Sequence, residues 1–365
     1  MAPSPRVGIV ADDLTSAADA GGPLVEAGLD CRVGCGGHVP ETGSVRSVDT
    51  RSRSFDVEGA ARATREAVEA LDEAPVLLKT VDSTLRGHLR SELSAAVSAS
   101  RRLRVCFAPA FPQAGRTTVD GRQLVHGRPL LETSYADDPV HPARCERLAE
   151  LVDSDLGAVR SVHAREGWPR IGGERVLLVD AERQEELDEF VAEARGVEDW
   201  LWVGSPGLAQ AWGARLARVT ERRPVEERPL APVGPGRVLV AVGSLNRASR
   251  RQLEALRALE PAPLVLSTPE ARGGDPAQHL AQLVEQAKSL AWEAPLSGLI
   301  ATGGATMDAL LGALAVTEFE LLGEVEPGFP LGRAGDLRLA LKAGGFGDDH
   351  ALLRAVRILR GESPA

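Results

Sequence analysis

The stretch from Val76 to His88 joins residues that could do chemistry to a predicted strand and helix. The apolar run Val76–Leu78 predicts a buried strand, and apolar residues recur every four positions from Leu89, which predicts a helix. The polar residues between these elements are Lys79, Asp82, Ser83, Thr84 and Arg86. Lysine and arginine can hold an anion, hydroxyls can bind sugar or phosphate oxygens, and an ionised carboxylate can orient a substrate hydroxyl. The alternative is a solvated loop with a capping Ser or Thr.

Two adjacent acids, Asp12 and Asp13, follow the short apolar strand Val7–Ala11. A helix is predicted next, with Thr15 as its N-cap. Carboxylates at such a turn can bind a metal or sugar hydroxyls, or accept a proton, and one of them could instead satisfy loop amides. Because open α/β sheets bind ligands at the carboxyl ends of their strands, this position favours a functional role.

Two further loops carry candidate binding groups. Arg51 follows the weak strand 47–50, and its guanidinium could clamp a substrate carboxylate, although a solvated surface arginine is the alternative. Residues 109–127 contain two prolines and three glycines, which predict a shaped loop that presents Arg116.

The rest of the first half is predicted to alternate strands with helices. Predicted helices lie at 58–72, 144–154, 183–195 and 206–218, predicted strands at 104–108, 159–162, 176–180 and 201–203, and a predicted hairpin at 123–131. Asp137, Asp138 and His141 could bind a metal or form a satisfied turn.

The second half repeats a strand, glycine turn and helix pattern after a proline-rich segment, residues 221–236. Glycine turns at helix N-termini offer free N–H groups and the positive end of a helix dipole, which suit bound phosphate. Ser244 and Thr306 add hydroxyls at equivalent places. The chain has neither a P-loop motif nor a complete dinucleotide fingerprint. Residues 324–328 are predicted to form a loop whose carboxylates could hold Mg²⁺, with a solvated acidic turn as the alternative.

Length and composition set the broad class. The 365 residues predict an α/β protein with two doubly wound domains, 1–220 and 237–365, joined by a linker at 221–236. A net charge of -10 argues against a nucleic-acid protein that relies on a basic surface. No apolar run approaches the ~18 residues of a membrane span. Four cysteines without a dense spacing pattern predict reduced thiols in a cytoplasmic protein.

Several motifs together resemble the four-carbon acid sugar kinase family, over nearly the whole chain. The motifs are Ala11–Thr15, Lys79–Gly87, Ala108–Thr118, Val242–Ser244, Gly303–Thr306, Glu326–Gly328 and Lys342–Gly347. The resemblance implies an N-terminal domain that holds a sugar acid and a smaller, Rossmann-like C-terminal domain that holds ATP.

The resemblance implies sugar-acid contacts from Asp13, Arg51 and residues 82–85, and nucleotide contacts from Ser244, residues 303–306 and Gly345. The remaining candidates come from the residue types and their positions. For the sugar acid, the candidates are Asp12, Asp13, Arg51, Lys79, Asp82, Ser83, Thr84, Leu85 and Arg116. For the nucleotide, they are Ser244, Gly303, Gly304, Ala305, Thr306, Lys342, Gly344 and Gly345. The candidate catalytic residues are Asp13, Asp82 and Arg86, and the sequence does not choose which aspartate orients or deprotonates the substrate hydroxyl.

The expected reaction moves the γ-phosphoryl group of ATP to the terminal C4 hydroxyl of an acid of the 3-oxo-tetronate, threonate or erythronate type. The domains would close over a cleft, with Mg²⁺ and glycine-turn amides on the triphosphate. The rival hypotheses are a sensor that binds without turnover, and an oxidoreductase, against which the missing dinucleotide fingerprint counts. The expected partners are a small-molecule acid and ATP, and a homodimer is a candidate assembly.

Overall fold

The chain divides into two compact units, Met1–Pro224 and Val225–Ala365. A computed structural model describes residues 6–138, 141–220, 237–244, 246–256, 259–269, 275–326, 328–345 and 347–362. The predicted linker at 221–236 lies outside the described residues.

The first unit alternates strands and helices. Its strands are β1 (Val7–Ala11), β2 (Cys31–Gly34), β3 (Val45–Asp49), β4 (Val76–Thr80), β5 (Arg104–Ala108), β6 (Arg116–Val119), β7 (Arg122–Val125), β8 (Arg128–Pro129), β9 (Val159–His163), β10 (Val176–Asp180) and β11 (Trp200–Gly204). Its helices are α1 (Leu14–Glu26), α2 (Val57–Leu71), α3 (Leu89–Ala99), α4 (Gln184–Glu193) and α5 (Pro206–Thr220).

The main sheet of this unit is parallel, with strand order β2-β3-β1-β4-β11-β5-β10-β9. The chain leaves β1 towards β2 and β3, but it leaves β4 towards β5 at the other side. Right-handed crossovers in opposite directions place the helices on both faces of the sheet. The strand order therefore reverses between β1 and β4, and such a switch point opens a crevice at the carboxyl ends of the strands.

The core explains why the strands are apolar runs. Val10 of β1, Leu77 of β4 and Phe107 of β5 are fully buried among residues of α2 and α3. On the helices, α2 contacts α3, and α5 contacts both α1 and α4. Burial of one such side chain contributes about 1.5–3 kcal/mol, and strands covered on both faces have few places for polar residues.

The second unit holds a mixed sheet of order β13-β12-β14-β17-β16-β15. Its elements are β12 (Arg237–Val242), α6 (Arg247–Leu256), β13 (Leu264–Ser267), α7 (Pro276–Glu293), β14 (Leu296–Thr302), α8 (Gly304–Ala313), β15 (Glu318–Glu326), β16 (Phe329–Ala334), β17 (Leu337–Lys342) and α9 (Ala351–Arg360). Strands β12, β13, β14 and β17 are parallel, whereas β16 runs antiparallel to both β15 and β17.

The predicted α/β fold is confirmed, and the β15–β16 hairpin adds an antiparallel pair of strands to the second unit. The segment predicted as a loop at 324–328 is partly strand, because β15 continues to Glu326. The sequence signal is the period-two alternation that starts at Glu318, in which Phe319 and Leu321 are buried between less buried residues.

Smaller local predictions also change. The helix predicted at 144–154 is replaced by short 3-10 turns at Leu148–Leu151 and Ser154–Leu156. The two buried leucines of the first turn, three residues apart, fit a single turn of that kind. The hairpin predicted at 123–131 is confirmed as β7 and β8, and β6 extends it to three strands.

Candidate functional sites

Asp12 and Asp13 stand at the carboxyl end of β1, beside the switch point. Asp13, rather than the predicted Thr15, is the N-cap of α1, since its Oδ1 accepts a hydrogen bond from Ser16 N at 2.7 Å. Asp12 is fully buried. Arg53 joins the two acids: its Nε donates to Asp12 Oδ2 at 2.7 Å, and its Nη1 pairs with Asp13.

Arg53 is a residue that the sequence reasoning missed. It reaches the two acids because β3 lies beside β1, where Ala11 pairs with Asp49. Burial alone would lower the pKa of the Arg53 guanidinium, but the charges of Asp12, Asp13 and Asp82 raise that pKa well above its ordinary value. Arg53 therefore stays charged, and the spatial order of the strands was the signal needed to find it.

Asp82 lies on the other side of the switch point, directly beyond β4. The Arg86 guanidinium pairs with its carboxylate, and Thr84 Oγ1 donates to Asp82 Oδ2 at 2.7 Å. Burial would raise the pKa of Asp82, but the charges of Arg86 and Arg53, with these hydrogen bonds, lower it to about 2. Among the described residues, the hydrogen bonds to this carboxylate converge on Oδ2, which leaves Oδ1 for a ligand hydroxyl.

The turn from Asp82 to Gly87 passes close to the Asp12 carboxylate. Gly87 has a φ of 96°, and a Cβ at that position would lie 3.4 Å from Asp12 Oδ2. Leu85 also has a positive φ, 50°, which is strained for a residue with a side chain. Its side chain is buried in the core, so only its backbone can face a ligand.

Tyr135 brings Arg86 and Arg116 to the same region. The Arg86 Cζ lies 5.5 Å from the centroid of the Tyr135 ring, and the Arg116 Cζ lies 5.8 Å from it. Arg116 Nη2 also donates to the Tyr135 hydroxyl at 2.8 Å. These cation–π contacts fix two cationic side chains next to the Asp82 turn. The sequence reasoning missed this tyrosine, which no local motif marks.

The loop after Tyr135 adds two polar groups. Asp138 Oδ1 accepts from His141 N at 2.8 Å, and its Oδ2 accepts from Arg86 at 3.3 Å. Burial, followed by the charge of Arg53, lowers the pKa of His141, which keeps the imidazole neutral at pH 7. The contacts of Asp138 favour the satisfied turn over a metal site.

Arg51 and Lys79 occupy different environments. Arg51 lies at the end of β3 with φ 53°, and its side chain is 36% exposed, 3.9 Å from Asp49 Oδ2. Lys79 is 1% exposed, and its Nζ lies 2.8 Å from both Glu92 Oε2 and the Thr80 carbonyl oxygen. Because the Lys79 charge is neutralised inside the unit, we leave this lysine out of the proposed substrate-binding set.

In the second unit, three turns lie side by side at the carboxyl ends of β12, β14 and β17. The final residues of these strands, Val242, Thr302 and Lys342, are level with one another in the sheet. The turns that follow contain the predicted nucleotide-binding residues Ser244, Gly303, Gly304, Ala305, Thr306, Gly344 and Gly345. The sheet therefore brings these residues together.

Close packing within these turns requires glycine. A Cβ on Gly344 would overlap the Ser244 hydroxyl, and a Cβ on Gly243 would overlap the Thr306 hydroxyl. Gly303 has φ 94°, and its N–H donates to the Lys342 carbonyl oxygen at 2.9 Å. Two hydroxyls thus lie next to the N-terminus of α8, where the helix dipole favours an anion.

The Lys342 side chain holds the backbone of the turn that follows β17. It is fully buried, and its Nζ donates to the carbonyl oxygens of Ala343 at 3.1 Å and Gly344 at 3.2 Å. Burial lowers the pKa of Lys342 to about 8, and the negative charge of Glu326 partly opposes this shift. Because its ammonium group binds the backbone of the turn, we assign Lys342 a positioning role instead of the predicted nucleotide contact.

Within the described parts of the chain, two places could hold a cation. Glu326 pairs with Arg354 through Oε2, while its Oε1 is buried without a hydrogen-bond partner among the described residues. In the first unit, ligand atoms of Asp120, His163 and Asp180 lie within 4.8 Å of one another. Asp180 Oδ1 accepts from Gly121 N at 2.9 Å, so this cluster also closes the turn between β6 and β7.

Comparisons with known proteins match this division of the chain. Residues 7–212 match the model of a sugar-binding N-terminal domain, and residues 280–352 match the model of a nucleotide-binding C-terminal domain. The fold and the two sites thus define a two-domain protein that binds a sugar and a nucleotide.

Comparison with curated relatives narrows the class of protein further. The chain is 34% identical to a D-threonate kinase of Bordetella bronchiseptica, covering 98% of each chain. It is 29% identical to a D-threonate kinase of Salmonella typhimurium, with 95% of this chain and 97% of the relative covered. It is 27% identical to a 3-oxo-tetronate kinase of Methylobacterium radiotolerans, with 97% and 99% covered. The chain belongs to the four-carbon acid sugar kinase family and is an ATP-dependent phosphotransferase.

Solved structures share the fold. A Salmonella typhimurium protein provisionally named a tRNA synthase aligns with a TM-score of 0.77 at 22% identity, covering 96% of this chain and 98% of that one. A Bordetella bronchiseptica protein, crystallised with citrate as a domain-swapped dimer, aligns with a TM-score of 0.51 at 31% identity, covering 98% and 100%. None of the described helices has the length and apolar character needed to cross a membrane.

Proposed function

We propose that this kinase phosphorylates the terminal C4 hydroxyl of a four-carbon sugar acid of the threonate, erythronate or 3-oxo-tetronate type. The observation that carries the proposal is Asp82, an ionised carboxylate at the switch point with Oδ1 open to a hydroxyl. The full-length relatives named as D-threonate kinases make D-threonate the first acid to test.

The carboxylate of the acid is best matched by arginine. Arg86 and Arg116 flank Tyr135, and Arg51 is partly exposed at the end of β3. A planar guanidinium fits a carboxylate with two parallel hydrogen bonds. Arg53 suits this role less, because Asp12, Asp13 and Ser16 already accept from its three nitrogens. Arg53 is therefore a positioning residue for the two acids.

The substrate hydroxyls are best matched by oxygen acceptors and by the 82–85 turn. Asp12 Oδ1 is buried without a hydrogen-bond partner among the described residues, so a ligand or ordered water would satisfy it. Ser83, Thr84 and the Leu85 backbone lie on the same turn as Asp82. The two strained residues of the site, Arg51 and Leu85, agree with a binding role for both loops.

Asp82 fits the reacting hydroxyl better than Asp13 does. Both oxygens of the Asp13 carboxylate are engaged, by Ser16 N and by Arg53. An Asp82 pKa of about 2 makes this residue a weak base, so its role is to orient the hydroxyl. Orienting the hydroxyl is sufficient for catalysis, because phosphoryl transfer depends mainly on positioning and charge stabilisation. Arg86, paired with Asp82, supplies positive charge beside the transferred group.

The triphosphate of ATP is best matched by the turns after β12, β14 and β17. The candidate contacts are the hydroxyls of Ser244 and Thr306 and the backbone of Gly303, Gly304, Ala305, Gly344 and Gly345. Mg²⁺ would neutralise developing charge on the phosphates, and it keeps water and phosphate oxygens as most of its ligands. The buried Oε1 of Glu326 fits this demand for few protein ligands.

The experiment is ADP release with Mg-ATP across stereoisomers of threonate, erythronate and 3-oxo-tetronate. Turnover on one acid should fall at least 100-fold in Asp82→Asn, while ATP affinity stays within twofold, because Asp82 is on the sugar-acid side of the chemistry. The control is Glu174→Gln, which removes a carboxylate that pairs with Arg160 at 3.2 Å, at the amino ends of β9 and β10.

Each outcome has a distinct meaning. Unchanged turnover in Asp82→Asn would remove Asp82 from the chemistry. If ATP and an acid both raise the melting temperature but no ADP forms on any acid, the protein is a sensor and the proposed reaction is wrong.

The assembly and the location of the protein are two further proposals. We propose a homodimer, because the Bordetella bronchiseptica relative crystallised as a domain-swapped dimer. We also propose a cytoplasmic location, in which the four cysteines, none of which forms a disulfide in the described parts of the chain, stay reduced.

A further inference from the structure

A cavity of about 540 Å³ lies in the first unit, at the amino ends of β5 and β11. Its lining includes Arg104, Trp168, Arg170, Arg195 and Trp200. The proposed sugar-acid site lies beyond the carboxyl ends of the same sheet. A five-residue strand spans roughly 16 Å, so the cavity is separate from the catalytic residues.

The three arginines of this cavity give it an unbalanced positive charge. None of their side chains makes an ion pair or hydrogen bond with another residue in the described parts of the chain. One acid, Asp199, also lines the cavity, so the three guanidiniums exceed the carboxylates by two. Arg104 Nε is buried without an acceptor. A buried donor of this kind is normally satisfied by a ligand or an ordered water, and the excess of guanidinium groups around it favours an anion.

The aromatic side of the cavity is packed against further aromatic rings. The Trp168 ring lies 4.9 Å from Phe190, 5.2 Å from Trp200 and 5.6 Å from Trp202, between ring centroids. The Arg104 Cζ lies 5.8 Å from the centroid of Trp200. Trp168 remains partly exposed, so one side of the aromatic cluster can contact a ligand. Fixed indole surfaces favour a flat ring, through stacking or edge contacts.

We propose that this cavity binds a small aromatic anion, a single ring that carries one carboxylate or phosphate. The anionic group would accept from Arg104 and from Arg170 or Arg195, and the ring would pack on Trp168. A volume of about 540 Å³ is within the usual range for small-molecule sites. The proposal does not depend on the kinase reaction, because the cavity shares no residue with the proposed catalytic set.

The test is a titration of the full-length protein with benzoate, phenyl phosphate and cyclohexanecarboxylate, followed by tryptophan fluorescence excited at a wavelength where the probes do not absorb. We expect a saturable change with benzoate or phenyl phosphate, and the stronger of the two identifies the anion. Cyclohexanecarboxylate, which keeps the charge but not the flat ring, should bind at least fivefold more weakly.

Matched variants locate the binding. Arg104→Gln should weaken binding of the better probe at least tenfold, and Arg195→Gln should weaken it at least threefold. Arg183→Gln removes the same charge from an arginine that pairs with Glu186 at 3.0 Å, at the start of α4 and outside the cavity, and should leave affinity within twofold.

Three results would overturn the proposal. They are a response that does not saturate, equal affinity for the aromatic and saturated acids, and equal loss in Arg104→Gln and Arg183→Gln. Competition between benzoate and the sugar acid would also overturn it, since it would place the probe in the other site.

Discussion

Arg53 shows how one side chain organises the proposed sugar-acid site. Two adjacent carboxylates repel each other, and this repulsion is strong where Asp12 is buried and poorly solvated. The fork of Arg53 places separate nitrogens on the two acids and so fixes both in one geometry. Asp82 adds to the positive shift of the Arg53 pKa, which links the two sides of the switch point electrostatically.

Substitution of Arg53 by Lys tests whether the positive charge is enough or whether the shape of the guanidinium group is also required. Lysine keeps the positive charge but cannot present the same fork to Asp12 and Asp13, so we expect kcat/KM for the acid to fall at least tenfold. Steady-state kinetics measures this change. Arg160→Lys is the control, because Arg160 pairs with Glu174 at the amino ends of β9 and β10, away from the carboxyl ends of the strands. Equal kinetics in the Arg53 variant and the wild type would contradict the positioning role.

Asp82 should make stability depend on pH in the acid range. Burial opposes ionisation, but Arg86 and Arg53 lower the pKa of Asp82 from 3.8 to about 2 in the folded state. A carboxyl group with a lowered folded-state pKa stabilises the protein above its ordinary pKa, and this contribution is lost as pH falls towards 2. The shift corresponds to about 2 kcal/mol.

The measurement is urea unfolding of wild type and Asp82→Asn between pH 5 and pH 2.5, followed by tryptophan fluorescence. The difference in unfolding free energy should shrink by about 1.5 kcal/mol over this range, since protonated Asp82 resembles the asparagine of the variant. A difference that stays constant with pH would show that Asp82 does not have the lowered pKa.

At the scale of elements, three strand-to-helix turns build the proposed nucleotide site. Adjacent parallel strands place their carboxyl ends at one edge of the sheet, so turns far apart in sequence meet there. A single glycine turn is weak evidence for a nucleotide site, because glycine is common between strands and helices. The close approach of Gly344 to Ser244, and of Gly243 to Thr306, shows that the turns fit one another.

Gly344→Ala should weaken ATP binding through this packing. Its added methyl group would overlap the Ser244 hydroxyl, so we expect at least a tenfold loss of ATP affinity by calorimetry. The sugar-acid affinity should stay within twofold. Gly312→Ala is the matched control, because a Cβ there meets no atom within 4 Å. Equal ATP affinity in both variants would argue against the Ser244 turn as part of the site.

At the scale of the whole molecule, each unit carries one half of the proposed chemistry. The first unit supplies carboxylates and arginines at a parallel-sheet switch point, and the second supplies glycine turns on a mixed sheet. The chain has a net charge of -10, so the cationic groups of the sugar-acid site belong to a protein that is acidic overall. Binding of the acid should therefore depend on local arginines rather than on the overall field.

The proposed homodimer has a simple test. One chain has a mass of 38.6 kDa, so light scattering during size-exclusion chromatography should give twice this value, about 77 kDa. The measurement should be repeated at several loading concentrations, because a weak dimer dissociates on dilution. A mass of 38.6 kDa at every concentration would contradict the homodimer.

The sequence by itself determined much about this protein. Apolar runs and glycine turns gave most strands and helices, and the ordered motifs gave the family. The turn from Asp82 to Gly87 and the cluster from Gly303 to Thr306 were also visible, because strand, turn and helix signals are local in the chain. The β15–β16 hairpin was missed, although its period-two alternation is equally local.

Tertiary structure decided which polar residues meet and which are hidden. Arg53 and Asp12 are 41 residues apart, and only the order of β3 beside β1 joins them. Lys79 follows an apolar run just as a ligand-binding lysine would, but the packing of α3 places Glu92 against it. Pairing and burial depend on neighbours in space, whereas sequence patterns report neighbours in the chain.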